Sequence, residues 1–148
     1  MKYYYKWDAE VPRGFIENCI ESLTKYAVNV AHDNPSDPGI KNARITVEQL
    51  ASYYGLCGSD KGSDERIERD YAKPFDIRVE RAKVSGFYRA LTQNDIDLGL
   101  QGLQQYIYQM YCEGENDAYM PDILRCELLI EGLIEMEDQD QSMDSPSM

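Results

Sequence analysis

The stretch Thr92-Gln-Asn-Asp-Ile-Asp-Leu-Gly-Leu-Gln-Gly-Leu-Gln-Gln-Tyr-Ile-Tyr-Gln-Met-Tyr111 decides the fold. Thr92 with Asp95 three residues on reads as a capping box, and Leu91 with Ile96 can form its hydrophobic staple. Behind this start, Ile96, Leu100, Leu103, Ile107, Met110 and Tyr111 recur at helical spacing and line one side, with Gly114 closing the helix. An amphipathic helix of this length must bury its stripe against other helices or a sheet. The neighbouring segments say helices.

Downstream, a helix is expected from near Pro121. Ile123, Leu124, Cys126, Leu128, Leu129, Ile130, Leu133 and Ile134 cover most of its circumference, which predicts a deep position. Residues 138–148 are Asp, Gln, Ser, Met and Pro and read as a disordered acidic tail. Upstream, Pro12 suits a first helical turn, and Phe15, Ile16, Cys19, Ile20, Leu23, Ala27 and Val30 form an apolar stripe. The segment His32–Gly39 reads as a loop. Thr46 with Gln49 suggests a second capping box, stapled by Ile45 and Leu50, for a short helix over 47–54 ended by Gly55. Residues 55–63 read as a glycine loop, Ser63 as the cap of another short helix, and Pro74 as its stop. A helix over about 77–91 follows, with Val84, Phe87, Tyr88 and Leu91 on one face.

The expected fold is therefore all-α, a bundle of about five helices in one domain over residues 1–137. Residues 1–11 form a short strand or extended arm. Leu100, Leu103, Ile107, Leu128 and Ile130 are expected at the centre of the core. The 12 tyrosines, against 3 phenylalanines and 1 tryptophan, suit half-buried positions and contact surfaces.

Charge is divided unevenly along the 148 residues. Residues 1–91 hold 14 Asp/Glu and 14 Lys/Arg, whereas residues 92–148 hold 13 Asp/Glu and a single basic residue, Arg125. The formal net charge of −12 thus sits in the last third, which points to a partner with a basic surface or to a solubilising role. Glu127, Glu131 and Glu135 repeat every four residues, with Asp138 following; Glu113, Glu115, Asp117 and Asp122 lie nearby. Together these are the candidate partner-binding face.

Most catalytic chemistry lacks its residues. The only histidine, His32, stands at a helix end without a motif around it, where the helix dipole favours a cation. Cys19, Cys57, Cys112 and Cys126 are widely spaced and lack the close pairing zinc needs, so they read as free thiols. Lys61-Gly62-Ser63 has the wrong order for a phosphate-binding loop, and a helix rather than a strand precedes it. No calcium-loop pattern occurs. No catalytic residue, metal site or cofactor is assigned, and a non-enzymatic binding protein is expected. The charged start Met1–Asp8 lacks a signal peptide's apolar stretch, and no apolar run approaches the ~18 residues needed to span a bilayer. A cytoplasmic location, in the cell of origin or in a host, and no membrane partner are expected.

One local resemblance bears on nucleic acid. Ile45-Thr-Val-Glu-Gln-Leu-Ala-Ser-Tyr-Tyr-Gly55 resembles the first helix and turn glycine of a helix-turn-helix domain, and Arg66-Ile-Glu-Arg-Asp-Tyr71 resembles the recognition helix of regulators with an Ile-x-Arg-Asp run. The nine-residue connection, 55–63, departs from the usual 3–4. The resemblance implies a transcription regulator using residues 45–75. Its candidate nucleic-acid residues are Arg66, Arg69, Lys73, Arg78 and Arg81. Residues 61–89 carry eight Lys/Arg against six Asp/Glu, a weak footprint for phosphate, so direct DNA binding is expected to be poor.

The expected function is that of an acidic protein that binds and inhibits or modulates a basic nucleic-acid-handling protein. By analogy, DNA-mimic inhibitors of restriction or CRISPR nucleases from phages and plasmids are one such setting. An immunity protein against a basic toxin nuclease is another.

Overall fold

A computed structural model describes residues 11–56, 63–85, 91–113 and 119–144, with the backbone alone for 63–64, 85, 113 and 138–144. Residues 1–10 of the expected 1–11 arm, most of the glycine loop, Gly114 and residues 145–148 lie outside the described residues. The chain is an all-α bundle. Its elements are α1 (Arg13–Asp33), α2 (Pro38–Tyr53), α3 (Ser63–Ile67), a π turn (Glu68–Ala72), α4 (Lys73–Ser85), α5 (Gln93–Glu113) and α6 (Met120–Asp144). Because α3, the π turn and α4 follow without a break, they make one rod, and the bundle has five.

α1 is the central helix, packed against α2, α4 and α5, while α6 lies across α5 and α2. Its stripe is wider than the sequence suggested: Ile16, Cys19, Ile20, Leu23, Tyr26, Ala27, Val28, Val30 and Ala31 are all buried. His32 sits in its last turn as expected.

α2 starts earlier than its expected residue 47. Asp37 is its N-cap, accepting the Gly39 N–H at 2.7 Å, and Pro38 occupies the first turn. An Asp-Pro pair supplies both the cap oxygen and a preset φ, so the expected His32–Gly39 loop narrows to Asn34–Asp37 between the two helices. Thr46 lies inside the helix, fully buried, and caps nothing. Gly55 does end it, in the left-handed region at φ +62°. The Leu56 N–H donates to Ala51 O (2.9 Å) and the Gly55 N–H to Ser52 O (3.1 Å), the paired bonds of a Schellman motif.

Pro74 does not stop the third rod. Proline lacks the N–H that a helix interior needs, and its ring clashes with the carbonyl four residues back. The turn before it is widened instead: the Lys73 N–H reaches back five residues to Glu68 O, which accommodates the ring in a π bulge. α4 consequently buries Phe75, Val79 and Ala82, not the expected face carrying Val84, which is 83% exposed. It ends at Ser85, short of residue 91, and Phe87 and Tyr88 lie outside the described residues.

α5 follows its sequence closely. The Thr92 hydroxyl accepts the Asp95 N–H at 3.1 Å, and Asp95 Oδ2 accepts the Thr92 N–H at 3.0 Å, closing the capping box. Lys25 of α1 adds an ion pair to Asp95 at 3.0 Å. Burial pushes the Asp95 carboxyl up, but the Thr92 bonds and Lys25 together hold it below its ordinary value. Leu103 and Ile107 are buried and Leu100 partly so.

α6 corrects the sequence twice. It is not deep: Ile123, Cys126, Leu129 and Leu133 are buried, whereas Leu124, Leu128 and Ile134 are exposed. Leu128, expected at the core centre, is 55% exposed, while Ile130 is packed at the core margin. A 100° step per residue turns Leu128 away from Leu129 and Cys126, and apolar residues simply occupy both sides. The helix also runs to Asp144, into the stretch expected as tail.

Three substitutions test this packing. Leu103→Ala lowers unfolding stability by about 2–5 kcal/mol, whereas Leu128→Ala changes it by no more than about 0.5 kcal/mol, both read from urea unfolding. Gly102→Ala is expected to destabilise by about 1–3 kcal/mol, because the added methyl would overlap Cys19 on α1. At an unconstrained helix interior the same change stabilises by about 1 kcal/mol, so the sign of the shift decides.

Candidate interaction surface

The acidic candidates separate once placed on α6. With 3.6 residues per turn, Leu124, Glu127, Leu128, Glu131, Ile134 and Glu135 fall within an arc of about 120°, and all six are exposed. This face is opposite the one that Ile123, Cys126, Leu129 and Leu133 bury. Glu127, Glu131 and Glu135 are therefore brought together on successive turns, and none has an ion pair among the described residues. Asp138 follows one turn later in the same helix.

Asp122 belongs elsewhere. It is half-buried, and its Oδ1 accepts from Arg125 Nη1 at 2.8 Å and from Gln49 Nε2 at 2.6 Å. Arg125 Nη1 also donates to Gln49 Oε1 at 3.1 Å, so the only basic residue of the last third is engaged in tying α6 to α2. Glu113 is the last residue of α5 and its side chain is not described; Glu115 and Asp117 lie outside the described residues.

Elsewhere acids and bases are interleaved. Arg44 holds Asp76 at 2.8 Å, Glu48 at 3.0 Å and Glu68 at 3.5 Å. Arg78 pairs with Glu21 of α1 at 2.9 Å, and Arg69 with Asp70 at 2.9 Å. The Arg69 guanidinium and the nearby Arg66 hold the Asp70 carboxyl below its usual range. Lys73 and Arg81 are exposed on α4. Of the five candidate nucleic-acid residues, Arg66, Arg69 and Arg78 thus stand beside carboxylates, which dilutes any basic face.

The helix-turn-helix resemblance stops at the helix boundaries. Ile45–Gly55 is the latter part of the longer α2 with its cap, and Arg66–Tyr71 runs from the end of α3 into the π turn, with Ile67 buried. A shallow cleft of about 400 Å³ lies between these elements, lined by Glu48, Gln49, Ser52, Ile67 and Glu68. Its two glutamates are both drawn to Arg44.

Among the thiols and phenols, several buried ones are shifted upward. Burial pushes the Cys126 thiol up to about 12 and raises Cys19 further. Tyr26, buried between α2 and α6, is pushed up to about 12 by burial and then by Asp37 and Glu135. Tyr106 is raised by burial too and packs edge-on to Tyr53, ring centres 5.2 Å apart, with Tyr54 beside them at 4.9 Å from Tyr53. These tyrosines seal the end of α2 against α5; sequence composition flagged their type but not their clustering. Among the described residues no group of three or more His, Cys, Asp or Glu side chains could hold a metal ion, and no helix is long and apolar enough to cross a membrane.

Comparison with family models, curated proteins and solved structures finds no match for this chain. The function must therefore be argued from its own surface.

From this charge pattern, DNA is expected to be a poor ligand. Random-sequence duplex is expected to give no gel-shifted complex with micromolar protein at about 150 mM salt, since a face of paired charges offers little counterion release. A sequence-specific shift on defined duplex at sub-micromolar protein and the same salt would restore the regulator reading.

Proposed function

We propose that this protein is a non-enzymatic binding module whose exposed α6 face docks on the basic surface of a nucleic-acid-handling protein and modulates or blocks it. The observation that carries this reading is the row Glu127, Glu131 and Glu135: three exposed carboxylates on successive turns, with no ion pair among the described residues. Several acids elsewhere are paired: Glu21, Glu48, Asp76 and Asp122 each have an arginine within 3.0 Å. Like charges at this spacing destabilise a helix by about 0.2–0.5 kcal/mol per pair, and a cationic partner removes that repulsion on binding. Surfaces that ordinarily hold nucleic-acid phosphate are the commonest concentrated source of Lys and Arg. An inhibitor of a defence nuclease and an immunity protein against a basic toxin nuclease share this physics and differ in partner only.

The test is capture from nuclease-treated lysate of the native host on immobilised wild type and on the Glu127→Lys/Glu131→Lys/Glu135→Lys variant. Nucleic-acid-binding proteins are expected on the wild type at about 50 mM salt. They should be lost at about 500 mM, where the Debye length has shrunk severalfold, and be missing from the folded variant. An identical set on both proteins, indifferent to salt, overturns the proposal.

A further inference from the structure

We infer that the occupant of the α6 face is a cationic amphipathic helix of another protein, anchored on Leu124 and Leu128 and aligned by the glutamates between and beyond them. This rests on the reading above and specifies the partner's chemistry. Leu124 is 51% and Leu128 55% exposed, with Met120 at 40% and Ile134 at 43% along the same face. Of seven large apolar residues exposed among those described, four are on α6. Single exposed leucines are ordinary, but a contiguous row rimmed by charge is what interaction surfaces present.

The spacing selects a helix as the occupant. Leu124 and Leu128 are one turn apart, about 6 Å along the axis, and the glutamates repeat at the same pitch. A helix lying along α6 offers apolar side chains and flanking Lys/Arg at that same repeat, as e and g charges flank an apolar seam in paired helices. Charge eliminates other occupants. A second copy packed symmetrically would set one glutamate row against another on chains of net charge −12. Duplex DNA and an anionic lipid surface carry the same sign as the face. A site built only for phosphate would be matched by carboxylates alone and would leave the leucines without a role.

The probe is a fluorescent synthetic helix with leucines on one side and lysines flanking them, set against a peptide of identical composition whose order destroys the amphipathic face. Anisotropy titrations use the full chain, the Leu124→Ser/Leu128→Ser variant and the Glu127→Gln/Glu131→Gln/Glu135→Gln variant, each checked for an unchanged thermal midpoint. Wild type is expected to prefer the amphipathic peptide by about tenfold or more. The leucine variant should lose that preference while keeping the weaker, salt-sensitive binding of both peptides; the glutamine variant should weaken both. If wild type has no preference, or the leucine variant keeps it, the helix inference falls, while glutamate-dependent binding leaves the proposed function standing. If the glutamine variant binds both peptides as wild type does, both readings fall. A dimer in sedimentation that the leucine changes abolish would overturn the inference in favour of a second copy.

Discussion

Where α1 meets α5, Gly102 lies against the sulfur and Cβ of Cys19, and Gly99 against the Cβ of Ser22, with no room for a methyl group on Gly102. The Cys19 thiol also approaches the Gly99 carbonyl at 3.9 Å. Two helices whose facing residues are glycine, cysteine and serine can bring their backbones close, and interior packing transmits any change in that spacing. Gly99 also receives Leu133 of α6, whose Cδ1 would stand 3.0 Å from a Cβ there. The seat of α6 is thus set by the α1–α5 contact, and so is the direction of its outer face. A side chain at either glycine would disturb the surface on which binding is proposed without touching it.

Charge follows the same architecture. Helices that pack around α1 carry acids and bases across from one another: Arg78 to Glu21, Lys25 to Asp95, Arg44 to Asp76. The exposed pairs Arg78–Glu21 and Arg44–Asp76 contribute little each, and with the part-buried Lys25–Asp95 pair they neutralise the local field. α6 has one cation, Arg125, and it is held by Asp122 and Gln49 against α2. The field of the outer face is left uncompensated as a result, and opposite charge is steered to it most strongly at low salt.

How far the sequence could be read depends on which physical signal each element carries. α5 was largely legible, because its capping box and apolar stripe agree, although Tyr111 at the end of that stripe is 40% exposed. The second helix misled: Thr46 and Gln49 have the spacing of a cap, but Asp37-Pro38 is the cap that forms, and Gln49 is taken by Asp122 and Arg125. Pro74 carried a true local penalty that a π turn absorbs, which no residue spacing announces. For α6, the presence of apolar residues all round was plain, but their number exceeded what one neighbouring surface could cover. Only the burial of Leu129 and Leu133, the latter against Gly99 of α5, fixes which side is left over. The acidic row was legible as a periodicity; its mixture with Leu124 and Leu128 on one face, and the departure of Asp122 from it, were not.

That mixture bears on why such a helix persists. The two adjacent glutamate pairs, Glu127–Glu131 and Glu131–Glu135, together oppose helix formation by up to about 1 kcal/mol. Burying Ile123, Leu129 and Leu133 on the other side favours it by about 1.5–3 kcal/mol each, so packing outweighs repulsion severalfold. The fold therefore does not depend on what the outer face carries. Polar residues there would satisfy the core equally well and would remove both the repulsion and the exposed leucine surface. Stability gives no reason for carboxylates and leucines to share that arc, whereas recognition of a cationic, apolar-ridged partner accounts for both residue types with one interaction.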